Sequence, residues 1–163
     1  MKISFLKDCP SEAETVAKWY FKEWSHKDPK ATLESVTEYV SLGANRNKIP
    51  VAFVAHVDGE LAGAGELKYS ELPEYSDYNY WLDGIYVPLK HRGKGISTAL
   101  IEFAKSKAIE LKLSTLHLRC ESHLVKLYEA RGFQVVAVEE CKSIMALQVN
   151  AHPINTALRI SSD

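Results

Sequence analysis

The sequence predicts a single α/β (α+β) domain of about seven strands and several helices, and two observations lead there. The chain has 163 residues, 46% hydrophobic and 25% charged, which is enough for one good core and short for two domains. Along it, short apolar runs bounded by turn residues alternate with longer runs whose apolar positions recur at helical spacing.

Taken in order, "KISF" at 2–5 reads as a first strand, and 11–24 as a helix in which Val16, Trp19, Tyr20 and Trp24 share one face. Asp28 and Pro29 supply an N-cap and first-turn pair for a second helix ending near Gly43. After Pro50, "VAFVAHV" and "ELAGAGELKY" flank Asp58-Gly59, the strongest hairpin signal in the chain. A polar loop at 70–78 leads to a third central strand, "NYWLDGIYV". Ile96, Ala99, Leu100, Phe103, Ala104, Ala108 and Leu111 then form the apolar stripe of a long helix. "TLHLRC" is a further strand, "SHLVKLYEAR" a short helix closed by Gly132, and "FQVVAVEE" with "SIMALQV" a last antiparallel pair. Residues 1–149 thus form one domain, and the tail at 150–163, which has no clear pattern, is expected to be loose.

Several function classes are disfavoured. A net charge of −1 gives no global field for nucleic acid or an anionic membrane, so any basic patch acts locally. The opening apolar run, "ISFL", is too short for a signal peptide, and no run approaches the ~20 residues of a membrane span. A soluble, cytoplasmic protein, monomeric or homodimeric, is expected. Cys9, Cys120 and Cys141 are odd in number and widely spaced, as reduced thiols are. His117, Cys120 and His123 have metal-like spacing, but 117 and 120 fall on opposite faces of a strand, so no metal is expected. Gly93-Lys94 is followed by Gly95 with Pro88 where a P-loop needs glycine, and no GxSxG elbow is present.

What stands out is "KHRGKGIS" at 90–97, between a strand and a helix. A Gly-rich turn there leaves backbone N–H groups unpaired and aimed at one spot, which the helix dipole makes attractive to phosphate. Some 30 residues later comes "LYEARGF". The turn Arg92-Gly93-Lys94-Gly95-Ile96-Ser97, the preceding "WLDGIYV" and the downstream "LYEARGF" together resemble the GNAT superfamily of N-acetyltransferases. The resemblance follows element order over residues 3–149. Two positions depart from the family pattern: Ser97 stands where glycine or alanine is usual, and Glu121 where many relatives carry an asparagine that contacts the cofactor. Ser122 is the candidate replacement for that contact.

The resemblance implies a mixed, mostly antiparallel central sheet of about seven strands with helices on both faces, and transfer of an acetyl group from acetyl-CoA to a primary amine, of a small molecule or a protein or peptide, in a ternary complex. It places the pyrophosphate of coenzyme A on Arg92, Gly93, Lys94, Gly95, Ile96, Ser97 and Thr98, with Lys90, His91, Arg92 and Lys94 adding positive charge. The pantetheine arm lies along Ile85, Tyr86 and Val87, where an N–H near Val87 faces the developing oxyanion. Tyr128 is the candidate acid for the departing thiolate, since a phenol of pKa about 10 matches a thiol of about 8.5 to 10. An amine of pKa about 10.4 needs a base, and Glu66 and Asp83 are both candidates. The first two helices and the last hairpin, with Trp19, Tyr20, Trp24 and Tyr39, would build the acceptor pocket. The alternative reading is a CoA-binding sensor or scaffold without turnover. A nucleic-acid contact through "KHRGK" is weaker, because the chain is nearly neutral.

Overall fold

The computed structural model describes residues 1–70, 73–75 and 77–149; the expected loose tail lies outside them. The strands are β1 (Lys2–Phe5), β2 (Val51–Val57), β3 (Glu60–Tyr69), β4 (Tyr80–Tyr86), β5 (Thr115–Glu121), β6 (Gln134–Glu139) and β7 (Lys142–Gln148). The helices are α1 (Ala13–Glu23), α2 (Leu33–Ser41), α3 (Ile96–Glu110) and α4 (Val125–Glu129). One seven-stranded sheet runs in the order β1-β2-β3-β4-β5-β7-β6. Every neighbouring pair is antiparallel except β4 and β5. Among the described residues no helix is long and apolar enough to cross a membrane.

Both faces of the sheet are covered, so its central strands lack the polar alternation of a one-sided sheet. In β2, Phe53 and Ala55 join a core with Ile96, Leu100 and Ala104 of α3. Ala52 and Val54 point the other way, into a core with Val16, Ala17 and Tyr20 of α1 and Val36 and Val40 of α2. Each Phe, Val, Ile or Leu among them contributes about 1.5–3 kcal/mol by leaving water, and each alanine less. Successive residues thus bind the two helical layers to one strand.

Two helix boundaries differ from expectation. The second helix starts four residues late because Thr32, not Asp28, caps it. The Thr32 hydroxyl accepts the Ser35 N–H at 3.0 Å, and the Ser35 hydroxyl accepts the Thr32 N–H at 2.9 Å. Asp28 instead accepts the Lys30 N–H and closes a turn. The helix after β5 is likewise shortened, since Ser122–Leu124 form a 3₁₀ turn before α4.

The feature that positions the site is the central break in the sheet. Between the register pairs Ala64–Tyr86 and Glu66–Asp83, β4 takes one more residue than β3, a bulge at Gly84–Ile85. Gly84 has φ +63°, and a Cβ there would sit 2.5 Å from the Tyr20 Oη. That hydroxyl donates to the Gly84 carbonyl at 2.7 Å, tying α1 to the bulge. Among the described residues, the only registered pair between β4 and β5 is Trp81 with His117. The carboxyl ends of these two strands therefore flank an opening in the sheet.

Candidate active site

From β4 the chain passes through a 3₁₀ turn, Leu89–His91, into Arg92–Gly95 and then α3. Gly93 and Gly95 both hold φ +76°, which favours glycine, and a Cβ on either would meet nothing within 4 Å. Gly95 caps α3 without a side-chain hydrogen bond. The first intrahelical bond runs from the Ala99 N–H to the Gly95 carbonyl. The N–H groups of Ile96, Ser97 and Thr98 precede it and point out of the helix end. The space at the glycines and the row of donors fit a phosphate.

Some of the basic side chains of the turn are engaged within the fold. Lys90 pairs with Glu60. His91 is buried beneath the turn, its Nε2 3.6 Å from Glu60, and neither ring nitrogen has a hydrogen-bond partner among the described residues. The Arg92 Nε donates to the Val87 carbonyl at 2.9 Å. Lys94 has no ion pair among the described residues and does not line the cleft. These contacts brace the turn, while Arg92 still lines the cleft.

A cleft of about 1260 Å³ runs from this turn through the β4/β5 opening to α1 and α2. Arg92, Gly93, Gly95, Ile96, Ser97 and Thr98 line one end, and Ile85, Tyr86 and Val87 its middle. Tyr128 of α4 is buried against Phe133, yet it reaches the cleft wall beside Cys120. Burial, then the neighbouring Cys120 and Asp83, holds its phenol above the ordinary range, so it stays protonated. Glu121 lines the cleft and pairs with His123. Ser122 is committed, its hydroxyl donating to the Cys141 carbonyl at 3.0 Å.

At the far end, Tyr20, Trp24, Tyr39 and Tyr86 form an aromatic wall, and Trp19 packs behind Tyr86 at 5.5 Å between ring centroids. The last hairpin contributes Lys142. The two candidate bases separate here. Asp83 lines the cleft, half-exposed, and pairs with Lys68 at 2.5 Å. Glu66, its register partner across the sheet, is only 4% exposed. Burial above all, and then Asp83, pushes the Glu66 carboxyl up to about 7 against the opposing Lys68 charge and a hydrogen bond from Tyr39. That bond, Tyr39 Oη to Glu66 Oε1 at 2.9 Å, left no signal in the sequence, because the residues lie 27 apart on a helix and a strand. His117 stacks under Tyr78 at 3.8 Å, Cys120 contacts Met145, and no three ligating side chains gather among the described residues.

The Acetyltransferase (GNAT) family matches the chain over residues 13–133, a span holding the turn, the β4/β5 opening and Tyr128. The chain belongs to this family. It is thereby an acetyltransferase, as the paired motifs implied. The GNAT fold recurs in solved structures. An aminoglycoside 6'-N-acetyltransferase complexed with coenzyme A is 17% identical, covers 94% of this chain and 99% of its own, and has a TM-score of 0.72. The yncA structure from Salmonella typhimurium with its cofactor acetyl-CoA is 19% identical, covers 96% and 98%, and has a TM-score of 0.69. The aminoglycoside 6'-N-acetyltransferase from Enterococcus faecium is 17% identical over 94% and 99%, with a TM-score of 0.70. At these identities the likeness is one of fold. No curated protein matches this GNAT chain by sequence.

Proposed function

We propose that this GNAT domain transfers the acetyl group of acetyl-CoA to a primary amine by direct attack, with both substrates held in the one cleft. The observation that carries this reading is the cleft itself. It has a phosphate-fitting helix end at one extreme, a buried carboxyl of pKa about 7 beside the other, and a protonated phenol on the wall.

Bound acetyl-CoA supplies the activated acetyl thioester. The N–H groups of residues 96–98 hold its pyrophosphate, where the unbranched Gly93 and Gly95 allow close approach. The backbone of Ile85–Val87, next to the bulge, orients the arm and supports the oxyanion. Tyr128 stands to protonate the thiolate: its phenol lines that part of the wall, and although burial lifts it above the expected match of about 10, it keeps the proton in place until the sulfur departs. Glu66 is favoured over Asp83 as base, because a carboxyl near 7 is matched to proton removal at neutral pH, whereas Asp83 is engaged by Lys68. Aromatic faces and the carboxylates Glu23 and Asp83 line the acceptor end and suit a cationic amine. That end is open to the cleft, which favours turnover over a binding-only module.

The test is thiol release from acetyl-CoA across a broad amine panel, with the N-acetylated product identified by mass. Amine-dependent release supports the reading. Binding of acetyl-CoA without release for any amine would favour the sensor alternative.

A further inference from the structure

Glu66 poses a geometric problem for any base role. It is buried to 4% exposure and is absent from the cleft wall, while Tyr39, which hydrogen-bonds it at 2.9 Å, is 44% exposed and lines that wall. The route from the carboxylate to the cleft thus passes the Tyr39 hydroxyl. On the other sides Glu66 faces Asp83 of β4, Lys68 of its own strand and the buried Tyr20 of α1, whose hydroxyl is already donated to Gly84.

Resting on the acetyl-transfer reading above, we propose that Tyr39 is the catalytic residue that touches the acceptor amine and relays its proton to Glu66. The Tyr39 Oη, with its hydrogen committed to Glu66 Oε1, presents a lone pair to the cleft. As the amine nitrogen bonds to the acetyl carbon, an N–H proton passes to the Tyr39 oxygen while the phenolic proton passes to Glu66. The carbon–sulfur bond breaks, and the sulfur takes its proton from Tyr128. The amide and the thiol leave, and solvent restores both side chains through the open cleft. Because burial and Glu66 hold the Tyr39 phenol far above its ordinary range, both transfers move together and no free phenolate forms.

The experiment compares wild type, Tyr39→Phe, Glu66→Gln and the double variant, using whichever panel amine gives the fastest release. Tyr39→Phe keeps the ring and removes one oxygen. The relay predicts a fall in kcat/KM on the order of 10²-fold, the usual worth of a general base. It also predicts that the double variant falls no further than the worse single one, since both act on one proton. Without the hydrogen bond that favours its charged form, Glu66 should titrate higher, so the acid limb of the rate profile moves to higher pH. A carboxyl ¹³C titration reads that shift without turnover. Should Tyr39→Phe not fold, 3,5-difluorotyrosine at position 39 replaces it. Its stronger donor should move the limb to lower pH, and an unmoved limb would overturn the relay. A Tyr39→Phe enzyme within about twofold of wild type, or losses that multiply in the double variant, overturns the relay while leaving the transferase reading intact. If wild type acetylates no amine, both fall.

Discussion

Replacing Glu66 with glutamine should give a protein that is more stable than wild type at pH 8 and poorly active. Burial raises the Glu66 carboxyl from an ordinary 4.5 to about 7. The folded state therefore holds its proton more tightly than the unfolded chain, so the stabilising effect of the neutral form is complete at low pH. It is lost as pH climbs from 4.5 through 7, because the native state must then carry a buried charge beside Asp83. The interval corresponds to about 3 kcal/mol at about 1.4 kcal/mol per pH unit. Glutamine is permanently neutral and its oxygen can still accept from Tyr39, so the variant escapes this loss. Urea unfolding at pH 4 and pH 8 measures it. Wild type and variant should differ by a constant packing term at pH 4, and the variant should gain about 3 kcal/mol relative to wild type by pH 8, or very roughly 10 °C in Tm for a domain of this size. Activity should fall about 10²-fold to 10⁴-fold. Stability curves that stay parallel from pH 4 to pH 8 would show an ordinary carboxyl and refute the reasoning.

Two further substitutions separate chemistry from binding. Tyr128→Phe keeps the contact with Phe133 and removes the acid, so kcat should drop about 10²-fold to 10⁴-fold with acetyl-CoA affinity and Tm nearly unchanged. Unaltered turnover under conditions where chemistry limits the rate would assign that proton to solvent. Gly95→Val places a branched side chain at φ +76°, at a cost of about 1–2 kcal/mol, and fills the space before the helix end. Calorimetry should show acetyl-CoA affinity lowered at least about tenfold, since one lost hydrogen bond to a charged group is worth about 1.5–3 kcal/mol.

The seven strands and the long helix were legible because their apolar patterns are local, and so was the phosphate turn, whose two glycines have backbone conformations that only local sequence dictates. The start of α2 was not. Asp28-Pro29 has the chemistry of a cap, while the actual pair, Thr32 and Ser35, lacks the glutamate that marks a capping box. The burial of Glu66 was hidden for another reason. "LAGAGEL" has small residues on both faces of β3, so no alternation showed which side met a helix. Gly65 packs against Phe53 and Ile85, with no room for a Cβ, and Glu66 turns the other way toward α2. The bracing of the turn depends on Glu60, 30 residues earlier in the chain, and only the folded hairpin brings that carboxylate to Lys90 and His91.

The account stands most directly on the claim that this cleft is an acetyl-CoA site built from the backbone of the Arg92–Thr98 turn. Calorimetric titration of the wild-type protein with acetyl-CoA measures it. The geometry predicts one saturable site, half-filled within the range of about 1 μM to 1 mM typical of enzyme substrates. Desulfo- and acetyl-CoA should compete for it. Absence of any binding heat or competition at millimolar acetyl-CoA would contradict the claim.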